Sequence, residues 1–171
     1  YQPVVDLASG QTVGFEALLR VKGADGGLHP PMDYITLAEE VGATGAFARQ
    51  MLDQACQDAG AWGEGGPFVA GNISQRDLEG ETILEDVADA LNRTGLSPTR
   101  LELEVTESAL ASDFEAARRY LERFREMGVA VTIDDFGTGY ASLSVLAALP
   151  VSKLKVDKTF VWSYGEDSTA T

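Results

Sequence analysis

The chain has 171 residues, enough for one domain with a substantial core, and its 13 Lys and Arg against 27 Asp and Glu leave a formal net charge of −14. That balance excludes a large footprint on polymeric nucleic acid, which needs clustered cations. One cysteine excludes an intramolecular disulfide and a multi-cysteine zinc site, and a single histidine leaves His-rich metal sites and His-based triads almost nothing to be built from.

The apolar runs are strand-sized, as in "VAVTI" at 129–133, so this chain is expected to make no membrane contact. It opens on a strand-like segment with no basic n-region or cleavage site ahead of it, as a cut at a domain boundary would. Residues 1–6 ("YQPVVD") and 12–21 ("TVGFEALLRV") have strand character, and the Ser-Gly between them predicts a tight turn and an antiparallel pair. His29 falls in "GGLHPP", a Gly/Pro-rich loop. Apolar residues at three- and four-residue spacing predict helix over roughly 32–60, broken between Gly42 and Gly45. Cys56 lies in that pattern as a buried core thiol, a usage consistent with a reducing cytoplasm.

A strand at 67–74 ("PFVAGNIS"), a helix at 83–95 ending on Gly95 and a strand at 100–107 ("RLELEVTE") follow. The next helix spans 112–128, with Ser112 as its N-cap and Gly128 just past its end. "VAVTIDD" at 129–135 reads as a strand, "ASLSVLAAL" at 141–149 as a short helix and "KLKVDKTFV" at 153–161 as a strand. Strands and helices in this alternation mean parallel strands joined by right-handed crossovers, hence an α/β sheet or a (β/α) barrel. With about six strands, the chain is short by roughly two βα units of an eight-stranded barrel, and "SYGEDSTAT" at 163–171 reads as a stub. A parallel sheet that stops there leaves an open edge.

In "LELEVTE", alternation puts Glu102, Glu104 and Thr106 on one face and Leu103, Val105 and Glu107 on the other. Alone, this is the pattern of a half-exposed strand with a solvated acidic face. Other strands repeat it. Glu16 and Arg20 share a face of "GFEALLR", "VAGNIS" carries Asn72, "VTIDD" ends on Asp134 and Asp135, and "KLKVDK" aligns Lys153, Lys155 and Asp157. The C-terminal ends of parallel strands converge on one rim, which directs Glu16, Asn72, Glu104 and Asp134 to one place. Carboxylates so gathered take up protons or bind cations. Oxygen donors without His or Cys select Mg²⁺ or Mn²⁺, or Ca²⁺ in a loose site. Adjacent Asp134 and Asp135 suit two ions about 3.5–4 Å apart, an arrangement that activates water and clamps a phosphodiester. Lys155 beside them orients water or neutralises phosphate, and Arg20 holds a phosphate oxygen. "FGTGYASL" is no P-loop, since no Lys follows its second glycine; Gly137 and Gly139 open a strand-to-helix turn able to fold over the site.

In order and spacing, "YQPVVD", "GFEALLR", "LAEE", "NIS", "LELEVTES", "DDFGTGYASL", "LP" and "LKVDKTFV" resemble the EAL-domain family of bacterial cyclic di-GMP phosphodiesterases over nearly the whole chain. The resemblance implies an α/β fold, a TIM-like (β/α) barrel with an antiparallel first strand, here truncated after about six strands. It implies hydrolysis of cyclic di-GMP to linear pGpG with Mg²⁺ or Mn²⁺. By motif, Glu16, Asn72, Glu104 and Asp134 match metal ligands, Asp134 and Asp135 serve the second ion, and Lys155 is the active-site lysine. Glu107 matches the residue that steadies the "DDFGTGY" loop, and Gln2, Leu18 and Arg20 match positions that contact the dinucleotide. The resemblance implies a cytoplasmic domain in a parent that can be membrane-anchored, and, as partners common among relatives, an upstream sensory or GGDEF domain and a second copy in a homodimer.

Departures from the family pattern are Val21 in place of Trp and Thr36-Leu37 where Pro is expected before "LAEE". The later "EGVE" strand, with its general-base glutamate, and a final strand with its glutamine have no counterpart, so these 171 residues alone are expected to be inactive. Two readings follow: a phosphodiesterase domain completed in a longer parent, or a cyclic di-GMP receptor or interaction module. A metal-dependent barrel lyase of another family leaves the motif set unexplained.

Overall fold

The computed structural model describes residues 1–31, 34–35, 38, 44–80, 82–137 and 148–166. Strands β1 (Gln2–Val5) and β2 (Thr12–Ala17) pair antiparallel, with Gln2 opposite Glu16. Asp6 closes the turn between them: its carboxylate accepts from the Ser9 N–H at 2.8 Å and from Ser9 Oγ at 2.6 Å. β2 leaves the sheet at Ala17, four residues earlier than the strand pattern predicts, so Arg20 shares no strand face with Glu16. Where a loop is expected, β3 (Val21–Lys22) and β4 (Leu28–His29) form a small hairpin. Asp25 sets it by accepting from the Gly27 N–H at 2.9 Å and meeting His29 Nε2 at 3.0 Å.

Helix α1 (Thr44–Ala61) buries Leu52, Ala55, Cys56 and Ala59, the spacing of one helical face. Gly45 lies inside it, and Gly42 lies outside the described residues. Burial pushes the Cys56 thiol up to about 12, with Asp53 adding to the effect, so it is an inert core group. Then come β5 (Phe68–Ile73), α2 (Gln75–Glu79) behind a Ser74–Asp77 capping box, and α3 (Ile83–Thr94), which Gly95 ends at φ +68°.

β6 (Leu101–Thr106) is followed by two helices where one was expected, α4 (Glu107–Ser112) and α5 (Phe114–Glu126). The Ser112 hydroxyl donates back to the Ala109 carbonyl at 2.9 Å, which leaves Asp113 to cap α5 by accepting from the Ala116 N–H at 2.9 Å. α5 buries Ala117, Leu121 and Phe124; truncating a fully buried ring such as Phe124 to Ala costs about 3–5 kcal/mol.

β7 (Ala130–Phe136) and β8 (Lys153–Val156) complete the sheet, and α6 (Lys158–Glu166) follows. The strand expected through 161 stops at Val156 because the Asp157 carboxylate accepts from the Thr159 N–H at 2.9 Å and turns the chain into α6. Asp157 therefore lies just past the end of β8, its N–H still donating to the Phe136 carbonyl of β7 at 3.3 Å. Of the helix expected at 141–149, residues 141–147 lie outside the described residues.

The six-stranded sheet runs β1-β2-β5-β6-β7-β8, parallel from β2 onward. Flat, β2 and β8 would stand about 19 Å apart at the usual strand spacing. Yet Lys155 of β8 reaches Glu16 of β2 at 3.1 Å, so the sheet is curled in the manner of a barrel wall. Its outer face, including Val69, Leu101, Leu103, Val105, Val131 and Ile133, is the buried core under the helices. Its inner face carries the polar groups. The half-solvated acidic face that alternation alone allows is thereby overturned, since Glu102 and Glu104 are both buried. β8 is an edge, with Leu154 and Val156 exposed. Among the described residues no helix is long and apolar enough to cross a membrane.

Candidate active site

At the C-terminal rim of the sheet, four strands deliver one polar group each from the inner face: Glu16 from β2, Asn72 from β5, Glu104 from β6 and Asp134 from β7. Lys155 of β8 places its ammonium among the three acids, 2.5 Å from Glu104 Oε2, 3.1 Å from Glu16 Oε2 and 3.3 Å from Asp134 Oδ2. Asn72 Nδ2 donates to Glu16 Oε1 at 3.0 Å. One oxygen each of Glu16, Glu104 and Asp134 lies within 4.8 Å of the others.

Burial, foremost, pushes the Glu104 carboxyl up to about 7; Lys155 opposes the shift, while Glu16 and Asp134 add to it. Burial works against the Lys155 ammonium, but Glu104, Glu16 and Asp134 outweigh it and raise its pKa, so it stays charged. Asp135 is also raised, by burial first and then by Asp134 and Asp157. One ammonium thus faces more carboxylate than it offsets. The donors are all oxygen, and with the Asn72 amide they match the chemistry of a hard divalent cation.

Strict alternation would send Asp134 and Asp135 to opposite faces. The β7–β8 ladder instead shifts register between Ile133 and Phe136, so both aspartates oppose the single residue Lys155 in a bulge. Asp135 has φ +53°, the one positive-φ non-glycine among the described residues, and its N–H donates to Asp134 Oδ1 at 2.9 Å. Asp135 itself is exposed and stands beside the three-acid cluster.

The loop that follows is held from two sides. Gly137, at φ +101°, donates its N–H to Glu107 Oε2 at 3.0 Å, and Glu107 is buried at the first turn of α4. On the other side a Cβ on Gly137 would come within 2.5 Å of the Phe160 ring of α6. Gly139 lies outside the described residues.

Leu18 and Arg20 line a cleft of about 320 Å³ with Met51, Asn72 and Thr106, next to the cluster. Arg20 Nη1 donates to the Leu19 carbonyl at 2.7 Å and makes no ion pair with the acids. A larger hollow of about 860 Å³ opens at the opposite pole around Arg93 and Arg100. Arg100 is occupied there by the carbonyls of Ala59, Gly63 and Pro67 at 2.7–3.1 Å, so the hollow offers little chemistry. Sequence reasoning missed the partnership of Glu102, Thr132 and Lys153 below the cluster and the Phe160 ring on the loop; the only sign of the former was that Glu102 and Lys153 share strand faces with Glu104 and Lys155.

Comparison with known proteins agrees with this geometry. The EAL domain family matches residues 1–171. An uncharacterized signaling protein of Caulobacter vibrioides is 44% identical over all of this chain, which covers 21% of that protein. MucR of Pseudomonas aeruginosa, named as a bifunctional diguanylate cyclase/cyclic di-GMP phosphodiesterase, is 40% identical over 98% of this chain and 25% of its own length. The solved PaMucR phosphodiesterase in complex with c-di-GMP superimposes with a TM-score of 0.91 at 39% identity, covering 98% of this chain and 69% of that one. The chain therefore spans about a fifth to a quarter of the length of these curated relatives.

Proposed function

The chain belongs to the EAL domain family, and from that premise we propose that the intact domain hydrolyses cyclic di-GMP to linear pGpG in the bacterial cytoplasm, using Mg²⁺ or Mn²⁺. The observation that carries the reading is the cluster itself: three carboxylates from three strands, one oxygen of each within 4.8 Å of the others, around a single ammonium. Divalent ions held there supply an activated water and neutralise charge on a phosphodiester. Glu16, Asn72, Glu104 and Asp134 hold the ions, with Asp134 and Asp135 serving the second. Lys155 orients water or holds a phosphate oxygen beside the acids it contacts. Arg20, Leu18 and Gln2 on the rim receive the dinucleotide, and Glu107, Gly137 and Gly139 hold the loop.

Residues 1–171 are the N-terminal and central part of the domain in this reading, and later βα units bring the general-base glutamate. The 69% coverage of the PaMucR chain supports that division. The partners in this reading are an upstream sensory or GGDEF domain, the latter supported by the bifunctional name of MucR, and a second copy as homodimer.

The test is incubation of the intact protein with cyclic di-GMP and Mn²⁺, following pGpG by chromatography. Turnover is expected, with a loss on the order of 10²-fold or more in Glu104→Gln and in Lys155→Met, and none remaining in EDTA. Tight binding without turnover would establish the receptor reading instead.

A further inference from the structure

Below the carboxylate cluster the inner face carries a second charged tier. Glu102, two residues before Glu104 on β6, is 5% exposed and accepts from Lys153 Nζ at 2.5 Å and from Thr132 Oγ1. Lys153 stands two residues before Lys155 on β8, and its ammonium also lies 4.1 Å from the centroid of the Phe68 ring on β5. That ring is free to lie over β2 because Gly14 has no side chain; a Cβ there would come within 2.3 Å of it. Each inward glutamate of β6 thus takes one inward lysine of β8, tier by tier, across the intervening β7.

The tiers are two residues of strand apart, about 6.6 Å, a span that a lysine's four-carbon stem accommodates. A buried carboxylate without a partner is costly and draws any cation within reach. Left unpaired, Glu102 would compete with Glu104 for the Lys155 ammonium. We infer that Lys153 is a positioning residue: by occupying Glu102, together with Thr132 and Phe68, it keeps the Lys155 ammonium on Glu104, Glu16 and Asp134. Glu102 itself touches none of the upper groups, so it matters to the upper tier only when its own lysine is missing.

The kinetic arm of the test rests on the phosphodiesterase reading; the structural arm does not. In the intact protein, Lys153→Met is expected to lower kcat on cyclic di-GMP on the order of 10²-fold, as a small misplacement of a catalytic group does, with KM little changed. Glu102→Gln alone and the Glu102→Gln/Lys153→Met pair are expected to keep kcat near wild type, because the competitor is gone. Crystal structures without substrate give the second readout: Lys155 Nζ moves to Glu102 in Lys153→Met and returns to Glu104 in the double variant. Thermal melts check that each variant is folded at the assay temperature, and Lys153→Ala, which likewise leaves Glu102 without its lysine, replaces Lys153→Met if the latter does not fold. Lys155 staying on Glu104 in the single lysine variant, or Glu102→Gln losing as much kcat as Lys153→Met, overturns the inference. A wild type that hydrolyses no cyclic di-GMP overturns the functional reading alone and leaves the crystallographic comparison decisive.

Discussion

Glu104 holds a sharp electrostatic conflict. It is 2% exposed, and burial places its carboxyl at about 7 against an ordinary 4.5. A folded-state pKa raised above the unfolded one means the folded chain binds that proton more tightly. The stability it contributes is complete below about 4.5 and is lost as pH rises through about 7. In EDTA the melting temperature is therefore expected to fall across that window, and Glu104→Gln to flatten the slope. Mn²⁺ should restore the wild type at the upper end and do little for the glutamine variant; equal slopes in the two proteins would remove Glu104 as the cause. Glu16, Asn72, Glu104, Asp134 and Lys155 were legible in the sequence because alternation along a strand and convergence at a parallel rim are both local rules. The pairing of Glu102 with Lys153 was not, because which residues meet across β7 depends on the curl of the sheet.

At the scale of the element, the decisive piece is the end of β7. The bulge sets two adjacent aspartates opposite the single residue Lys155, and Gly137 then fits between Glu107 and the Phe160 ring. Gly137→Ala meets two separate costs, a left-handed φ of +101° and the ring at 2.5 Å. The first alone is about 1–2 kcal/mol. Urea denaturation is expected to show a loss at least that large, and adding Phe160→Ala should relieve the contact but not the backbone, so recovery stays incomplete. Full recovery in the double variant would locate the whole cost in the ring. The sequence marks Gly137 as a turn residue but hides Phe160, because the Val, Thr and Phe of "KLKVDKTFV" have the β-branched and aromatic character of a strand. One side chain decides otherwise: Asp157 accepts from Thr159 and starts α6. The segment 112–128 hides its boundary in the same way, since Ser112 and Asp113 are both good caps and only the hydrogen bond of Ser112 to Ala109 separates them.

At the scale of the whole molecule, the βα alternation was enough to foresee a parallel sheet with an antiparallel first strand, because connection rules leave few other topologies. What it could not foresee is the small β3–β4 hairpin, whose two-residue strands are too short for any periodicity. Net charge was plain from the start, and it sets a long-range condition on the proposed ligand. Cyclic di-GMP carries two phosphodiesters, and a chain of formal charge −14 repels it at distance. Salt screens that far field first, since the Debye length falls from about 30 Å at 0.01 M to about 10 Å at 0.1 M. Contacts inside the cleft, such as one from Arg20, are shorter than either length and are screened much less. In EDTA, association with cyclic di-GMP is therefore expected to speed up and tighten as KCl rises over that range, the reverse of a basic nucleotide-binding surface. With Mg²⁺ present the slope should shrink, because cations at the proposed Glu16, Glu104 and Asp134 site would offset part of the field at its source. Stopped-flow binding of a fluorescent analogue at several KCl concentrations, with and without Mg²⁺, measures both slopes. Affinity that falls with salt in EDTA would mean that the local cations, rather than the charge of the whole chain, govern the encounter.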